Sequence, residues 1–322
     1  MESQKQAIIF LFERLAKIHT SLTRTIRDYL NYLDSTRCCS GHTILTYGRH
    51  LVQFAGYCKD RDIQAITGVS PKIVFKYLDI LKRQGKASGS IYAAFVPVKM
   101  LVKFAIVTGK KSEYFSQLLC IAAPKLDHKL PKVLSRKQVE KLLNAPKKGW
   151  RFYHRDKAIL QLLYDTGIRE SELASLKCSA VDLQEGLITV TGKGSKQRSI
   201  PLTAKAILAI YEYIYSERSM HLRGRKDNGY LFLSRSNQPM YRHDIWRRVS
   251  YWAQTIGLEN VGPHTLRHCF ATHMLIGGAD LRLIQKALGH SSIATTQIYC
   301  EVDLTQLKMA IKKYHPSCKE IA

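Results

Sequence analysis

The sequence predicts a mainly α-helical protein with a small β-hairpin, divided into two domains. Three observations lead there. Apolar residues recur at three- and four-residue spacing through the first third of the chain. A charged stretch bounded by Pro124 and Pro131 interrupts that pattern. Two short runs of strand character, 187–190 (LITV) and 198–202 (RSIPL), flank a glycine-rich turn. At 322 residues the chain has the length of about two domains.

An amphipathic segment over 6–18 opens the chain. Ile26, Tyr29, Leu30 and Leu33 share one face of a second helix over 22–33, and Ile44, Tyr47, Leu51 and Phe54 share a face of a third that begins behind Ser40. Ser70 and Pro71 make an N-cap and first-turn pair for a fourth, whose stripe is Val74, Tyr77, Leu78 and Leu81. Ser90 precedes a fifth over 92–107, stopped by Gly109. Residues 1–112 therefore read as a helical bundle. Pro124, Lys125, Asp127, His128, Lys129 and Pro131 then bias the chain toward an extended linker over 113–133.

The second domain, 134–322, opens on Ser135-Arg136-Lys137-Gln138, which resembles a capping box ahead of Val139, Leu142 and Leu143. Helices are expected over 154–166, 169–177, 203–218, 242–256, 264–276, 280–288 and 303–313. The hairpin turns through Thr191-Gly192-Lys193-Gly194-Ser195-Lys196-Gln197, and 230–233 (YLFL) reads as a further strand. After Tyr299, a stripe of Leu304, Leu307, Ala310 and Ile311 is suited to packing on its own domain or, the favoured reading, on a neighbouring copy.

Fifty Lys and Arg against 25 Asp and Glu give a formal charge of +25. Such an excess self-repels in the absence of a polyanion, and its spread along the whole chain favours a wide nucleic-acid surface over the polybasic run that a membrane would select. Eight cysteines without a C-x-x-C pair read as reduced thiols. The apolar run Ala7 to Phe12 is too short for a signal segment, and no stretch is expected to reach transmembrane length. The expectation is a cytoplasmic protein that does not engage membranes. The sequence holds no P-loop or dinucleotide fingerprint.

Four segments place basic or nucleophilic residues beside structural punctuation. In Asp165-Thr-Gly-Ile-Arg169-Glu-Ser-Glu172, Gly167 ends one helix and Arg169 opens the next, where its fork can meet a phosphate while Glu172 braces it. Taken alone, Arg169 reads as a surface arginine paired with Glu172. Lys193, between Gly192 and Gly194, can reach a DNA groove and donate a proton to a departing oxygen; a solvated turn lysine is the plainer reading, and Lys196 is a rival. In Gly262-Pro263-His264-Thr265-Leu266-Arg267-His268, His264 and Arg267 share a helical face. His264 and His268 have zinc-ligand spacing, but no neighbouring cysteine or carboxylate completes a shell. In Leu288-Gly289-His290-Ser291-Ser292, Gly289 closes a helix and Tyr299 follows about two turns later; by itself Tyr299 reads as a core tyrosine.

The ordered set R…K…H-x-x-R…H…Y resembles the tyrosine recombinase (phage integrase) family, most nearly its Xer-like bacterial members. The matching segments are TGIRESEL, TGKGSKQRSIPL, PHTLRHCFATHML and LGHSSIATTQIY. Six residues in order with this many matching neighbours is a highly specific signal. The resemblance covers the region from about residue 135 onward, and the helical N-terminal part is similar to the family's SAM-like core-binding domain. It implies an α+β catalytic domain in which Arg169 and Arg267 grip the scissile phosphate and His290 adds a further donor. It also implies Lys193 as general acid for the leaving 5′-hydroxyl, His264 as an aid to proton transfer, and Tyr299 as nucleophile.

The chemistry suits those residue types. Two guanidinium forks and an imidazole can stabilise the charge that grows on a phosphodiester under attack, as a divalent metal would elsewhere. The phosphotyrosine ester conserves the bond energy, so rejoining needs no ATP, and no metal or other cofactor is implied. The resemblance further implies double-stranded DNA as partner, strand exchange through a Holliday junction, and a homo-tetramer on DNA. Two alternatives share the fold: a type IB topoisomerase, which relaxes supercoils as a monomer, and a DNA-binding protein that has lost catalysis. An intact residue set argues against the second. A metal-dependent tyrosine relaxase is disfavoured by the lack of an H-x-H-like ligand pair.

Overall fold

The computed structural model describes residues 2–18, 20–36, 39, 41–124, 133–192, 197–222, 224, 226–289 and 304–318. The chain divides into two compact units, Met1–Lys129 and Leu130–Ala322. The first is built from α1 (Glu2–Ile18), α2 (Ser21–Ser35), α3 (Gly41–Lys59), α4 (Pro71–Arg83), α5 (Ser88–Val107) and α6 (Tyr114–Cys120). Thr20 and Thr23 cap α2 reciprocally, each backbone N–H donating to the other's hydroxyl at 3.1 and 3.2 Å. Most of the residues spaced for burial are buried: Ile26, Leu30, Leu51, Phe54, Val74 and Leu81 meet in one core, with Tyr47 and Leu78 half-buried against it. Each such side chain contributes roughly 1.5–3 kcal/mol by leaving water.

Three details of this unit differ from the sequence reading. Ser70 holds the extended N-cap conformation, but its side chain makes no capping bond, so Pro71 alone marks the start of α4. Helix α5 is long and apolar enough, by length and composition, to cross a membrane, contrary to expectation; its Phe95, Val98, Leu101, Val102 and Ala105 face the bundle core. Within the stretch expected to be extended, α6 forms because Phe115 and Leu118 reach the same core, a contribution that the charged and proline-rich residues after it obscure.

The second unit begins with α7 (Arg136–Leu143), α8 (Tyr153–Thr166) and α9 (Glu170–Ala174). The box predicted at Ser135 is present: Gln138 N donates to Ser135 Oγ at 3.3 Å and Ser135 N to Gln138 Oε1 at 2.9 Å. Strands β1 (Val181–Asp182), β2 (Leu187–Thr191) and β3 (Gln197–Pro201) follow, antiparallel in that order, with Leu187 opposite Pro201 and Thr191 opposite Gln197. Then come α10 (Ala204–Glu212), a wider π turn over Tyr213–Arg218, α11 (Ser219–His221), α12 (Arg242–Gln254), α13 (Pro263–Ile276), α14 (Leu281–Leu288) and α15 (Leu304–Tyr314).

The run Tyr230 to Leu233 is not a strand; it makes only isolated bridges, Lys177 to Tyr230 and Leu233 to Pro239. Its backbone groups are shared between main-chain and side-chain partners: Leu231 N donates to Leu176 O at 2.8 Å, and Phe232 O accepts from Met240 N at 3.1 Å. Arg218 donates to the carbonyls of Tyr230 and Leu231, and Leu233 N donates to Tyr213 Oη at 3.1 Å. Leu231, Phe232 and Leu233 are all buried, so the segment threads through the core where a half-exposed strand would alternate.

Helix α8 is the axis of this unit. Near its start, Asp156 is fully buried and accepts from Arg155, Arg248, Trp150 and Trp252. Near its end, Asp165 accepts from Gln161 at 2.8 Å, from Ser317 Oγ at 2.6 Å and from Thr203 Oγ1. His315 is buried beside them, its Nδ1 accepting from Ser317 N at 3.1 Å and its Nε2 standing 3.3 Å from the Tyr164 carbonyl. Ala310 and Ile311 of α15 are buried in their own unit, Ile311 against Phe270, Ile284 and Leu288. Of the stripe expected to favour a neighbouring copy, these two pack at home; the side chains of Leu304 and Leu307 lie outside the description.

Candidate active site

The site is assembled where three helices end or begin. Helix α8 stops at Gly167 with φ of +59°, and a Cβ there would stand 2.6 Å from Phe270 Cδ1 and 2.7 Å from Leu288 Cδ2. Only glycine permits both the left-handed turn and this approach of α13 and α14. The chain then turns through Ile168 so that Arg169 becomes the N-cap residue of α9. Its backbone N–H donates to Glu172 Oε2 and its Nη1 to Glu172 Oε1, both at 2.9 Å. The brace read from the three-residue spacing is therefore present.

Helix α14 ends at Gly289, also left-handed with φ of +62°. Three successive carbonyls at this end each accept from a different arginine. Arg198 Nε donates to Ala287 O at 2.9 Å, Arg267 Nη2 to Leu288 O at 2.8 Å, and Arg169 Nη2 to Gly289 O at 3.1 Å. Arg267 Nη1 donates in addition to Gly167 O at 2.6 Å. Helix C-termini carry partial negative charge, so these carbonyls seat cations before any ligand arrives.

The electrostatics follow from the head count. Glu172 is the carboxylate that holds both Arg169 and Arg198, the latter bidentately at 2.8 and 2.9 Å. Burial alone would raise the Glu172 carboxyl, but the hydrogen bonds and charges of Arg198 and Arg169 outweigh it and hold the group below the usual carboxylate range. Burial pushes Arg267 down to about 10, and the charges of Arg169 and Arg198 push the same way. Three guanidinium groups facing one carboxylate leave a surplus of positive charge that an anion would relieve. Planar forks fixed in this way match the geometry of a phosphate.

Of the residues singled out in the sequence, Arg169 and Arg267 come together here. His264 is exposed in the first turn of α13, one turn ahead of Arg267. Lys193, His290 and Tyr299 lie outside the described residues, as does Lys196; in sequence, Lys193 falls between β2 and β3, and His290 directly follows Gly289. Arg198 was not singled out. A signal did exist for it: on β3 it precedes fully buried Ile200 by two residues, so the strand's period points a charged residue to the inner face, where it must find a partner.

The "Phage integrase family" model matches residues 132–305, and the "Phage integrase, N-terminal SAM-like domain" model matches residues 26–109. Among curated proteins, the chain is similar to "Tyrosine recombinase XerD" of Halalkalibacterium halodurans, 33% identical over 298 residues that cover 92% of this chain and 99% of the relative. It is 37% identical over 297 residues to "Tyrosine recombinase XerD" of Oceanobacillus iheyensis, again covering 92% and 99%. It is also 37% identical over 294 residues to "Tyrosine recombinase XerC" of Natranaerobius thermophilus, covering 90% and 97%. In fold it is similar to the XerH site-specific recombinase bound to palindromic difH substrate in a post-cleavage complex, with TM-score 0.67 and 23% identity over 94% of this chain and 93% of that one. The Tn1549 transposon integrase in complex with circular intermediate DNA gives TM-score 0.63 and 21% identity, covering 90% and 99%.

Proposed function

The chain belongs to the phage integrase family of tyrosine recombinases, and from that membership we propose that it is a site-specific DNA recombinase that cleaves and rejoins strands through a 3′-phosphotyrosyl link. The observation that supports this best is the seating of Arg169 and Arg267 on successive carbonyls at the end of α14, with Glu172 bracing Arg169. A site whose donors are fixed before the substrate arrives stabilises charge as it develops and needs no reorganisation during the reaction.

In this reading Tyr299 attacks the scissile phosphorus in line, forming the phosphotyrosyl ester as the bond to the 5′-oxygen breaks. Lys193 gives a proton to that oxygen, and His264 assists removal of the phenolic proton. Arg169, Arg267 and His290 hold the non-bridging oxygens. Attack by a 5′-hydroxyl of a second strand reverses the steps and releases Tyr299. Residues 1–112 form the core-binding domain, 113–133 the linker and 134–322 the catalytic domain, and together they clamp duplex DNA. The protein acts in the cytoplasm as a tetramer on two sites, in integration, excision or resolution.

The test uses DNA cut from the region flanking the gene, joined in two copies on a supercoiled plasmid. Recombinant circles together with a protein–DNA adduct on a denaturing gel are the expected result. Relaxation without strand exchange would assign the chain to topoisomerase chemistry, and binding without an adduct would make it an inert DNA-binding protein.

A further inference from the structure

Arg198 has no role in the mechanism above, yet it is as firmly held as the arginines that do. Its side chain is 14% exposed, and all three of its nitrogens donate: Nη1 and Nη2 to the two oxygens of Glu172, and Nε to the Ala287 carbonyl. The guanidinium also lies against Gly289, where a Cβ would stand 2.8 Å from Nη1, 2.9 Å from Cζ and 3.0 Å from Nε. A continuous chain of hydrogen bonds thus runs from the end of α14 through Arg198 and Glu172 to Arg169.

Resting on the reading that Arg169 grips the scissile phosphate, we propose that Arg198 is a positioning residue that aims Arg169 through Glu172. A carboxylate offers two oxygens that a guanidinium fork can take together. Arg198 occupies both, so Arg169 reaches Glu172 Oε1 with Nη1 alone, while its Nη2 turns to Gly289 O beside the expected phosphate site. Without Arg198, Glu172 can accept the whole Arg169 fork, which draws both donors away from the substrate. Lysine cannot substitute, because a point charge does not span Glu172 and the Ala287 carbonyl together.

The test measures binding and single-turnover cleavage of a nicked duplex by Arg198→Lys, Arg169→Ala and the double variant, with a thermal melt of each. Arg198→Lys is expected to bind as the wild type does and to cleave about 10²-fold more slowly, the scale of loss from an ångström of misplacement. In the Arg169→Ala background the same substitution is expected to change the rate by less than about twofold, since the group it aims is gone. Wild-type cleavage by Arg198→Lys overturns the proposal, and so do losses that multiply in the double variant. If Arg198→Lys melts below the assay temperature, Arg198→Gln, which keeps hydrogen-bonding groups at that position without the guanidinium fork, is read by the same criteria. Wild-type cleavage by Arg169→Ala would instead remove the phosphate-clamp reading itself.

Discussion

Arg267 donates to the Gly167 carbonyl at 2.6 Å and thereby ties the end of α8 to the end of α14, whose Leu288 carbonyl it also holds at 2.8 Å. One buried cation closes two helix C-termini. Its folding role and its proposed chemical role are therefore inseparable, and substitutions must be judged by cleavage and stability together.

For Arg169→Ala and Arg267→Ala, cleavage is expected to fall by about 10² or more with only modest loss of DNA affinity, because the charge they meet is largest in the transition state. Arg267→Lys is expected to recover little, since one ammonium cannot reach both carbonyls. Single-turnover rates measured beside binding constants check this. Equal losses in both quantities would reduce the two arginines to ordinary backbone contacts.

Tyr299→Phe removes only the attacking oxygen. The variant is expected to bind its duplex normally and to leave no covalent adduct on a denaturing gel with a nicked suicide substrate. An adduct formed by the variant would move the nucleophile to another tyrosine.

Lys193 and Lys196 are separated by leaving-group chemistry. With sulfur in place of the bridging 5′-oxygen, a thiolate departs without a proton, so Lys193→Ala is expected to regain cleavage while Lys196→Ala cleaves like the wild type on either substrate. Rescue confined to Lys196→Ala would exchange the two roles.

Gly167→Ala is expected to destabilise the second unit by about 1–3 kcal/mol through the clash with Phe270 and Leu288, beyond the roughly 1–2 kcal/mol cost of a left-handed alanine. Urea denaturation of wild type and variant measures it. An unchanged midpoint would mean that α13 and α14 can retreat freely from this turn.

Acid is expected to loosen the seat of the C-terminal segment. Burial drives the His315 pKa below its ordinary 6.5; nearby Asp165 and the Tyr164 carbonyl oppose this shift, while Arg136 and Lys205 reinforce it. His273 on α13 is shifted in the same direction, chiefly by burial. The unfolded chain therefore takes up the proton first, and stability is lost as pH falls below 6.5 toward the folded-state value. Glu217, which burial pushes up to about 7, works in the opposite sense, so the measurement is the stability difference between wild type and His315→Asn at each pH. That difference is expected to be constant above 6.5 and to narrow below it; a gap that stays constant through the acid range would refute the buried neutral imidazole.

What the sequence disclosed was local. The Ser135 box, the stops at Gly167 and Gly289 and the Arg169–Glu172 brace all join residues within a few positions, where residue type and spacing nearly determine geometry. The contacts that escaped are long-range. Arg198 reaches Glu172 across 26 positions, and nothing about a strand arginine names its carboxylate. The Tyr230 to Leu233 run has strand composition, but Arg218 takes the Tyr230 and Leu231 carbonyls and Tyr213 takes the Leu233 N–H, and side-chain partners of that kind leave no periodic trace. Helix α6 depends on Phe115 and Leu118 finding a core built by earlier helices, which a window of local composition does not contain.

The row of carbonyls at the end of α14 divides genetic change into two kinds. No side-chain substitution can delete a main-chain oxygen, so an exposed position such as Leu281 can drift while the three arginines keep their seats. A one-residue insertion or deletion in the helix, by contrast, rotates its end by about 100° and shifts it by about 1.5 Å, which removes all three acceptors at once. Among descendants of this chain, α14 is free to vary at its exposed face, bound to apolar residues at Ile284, Ala287 and Leu288, and held fixed in length.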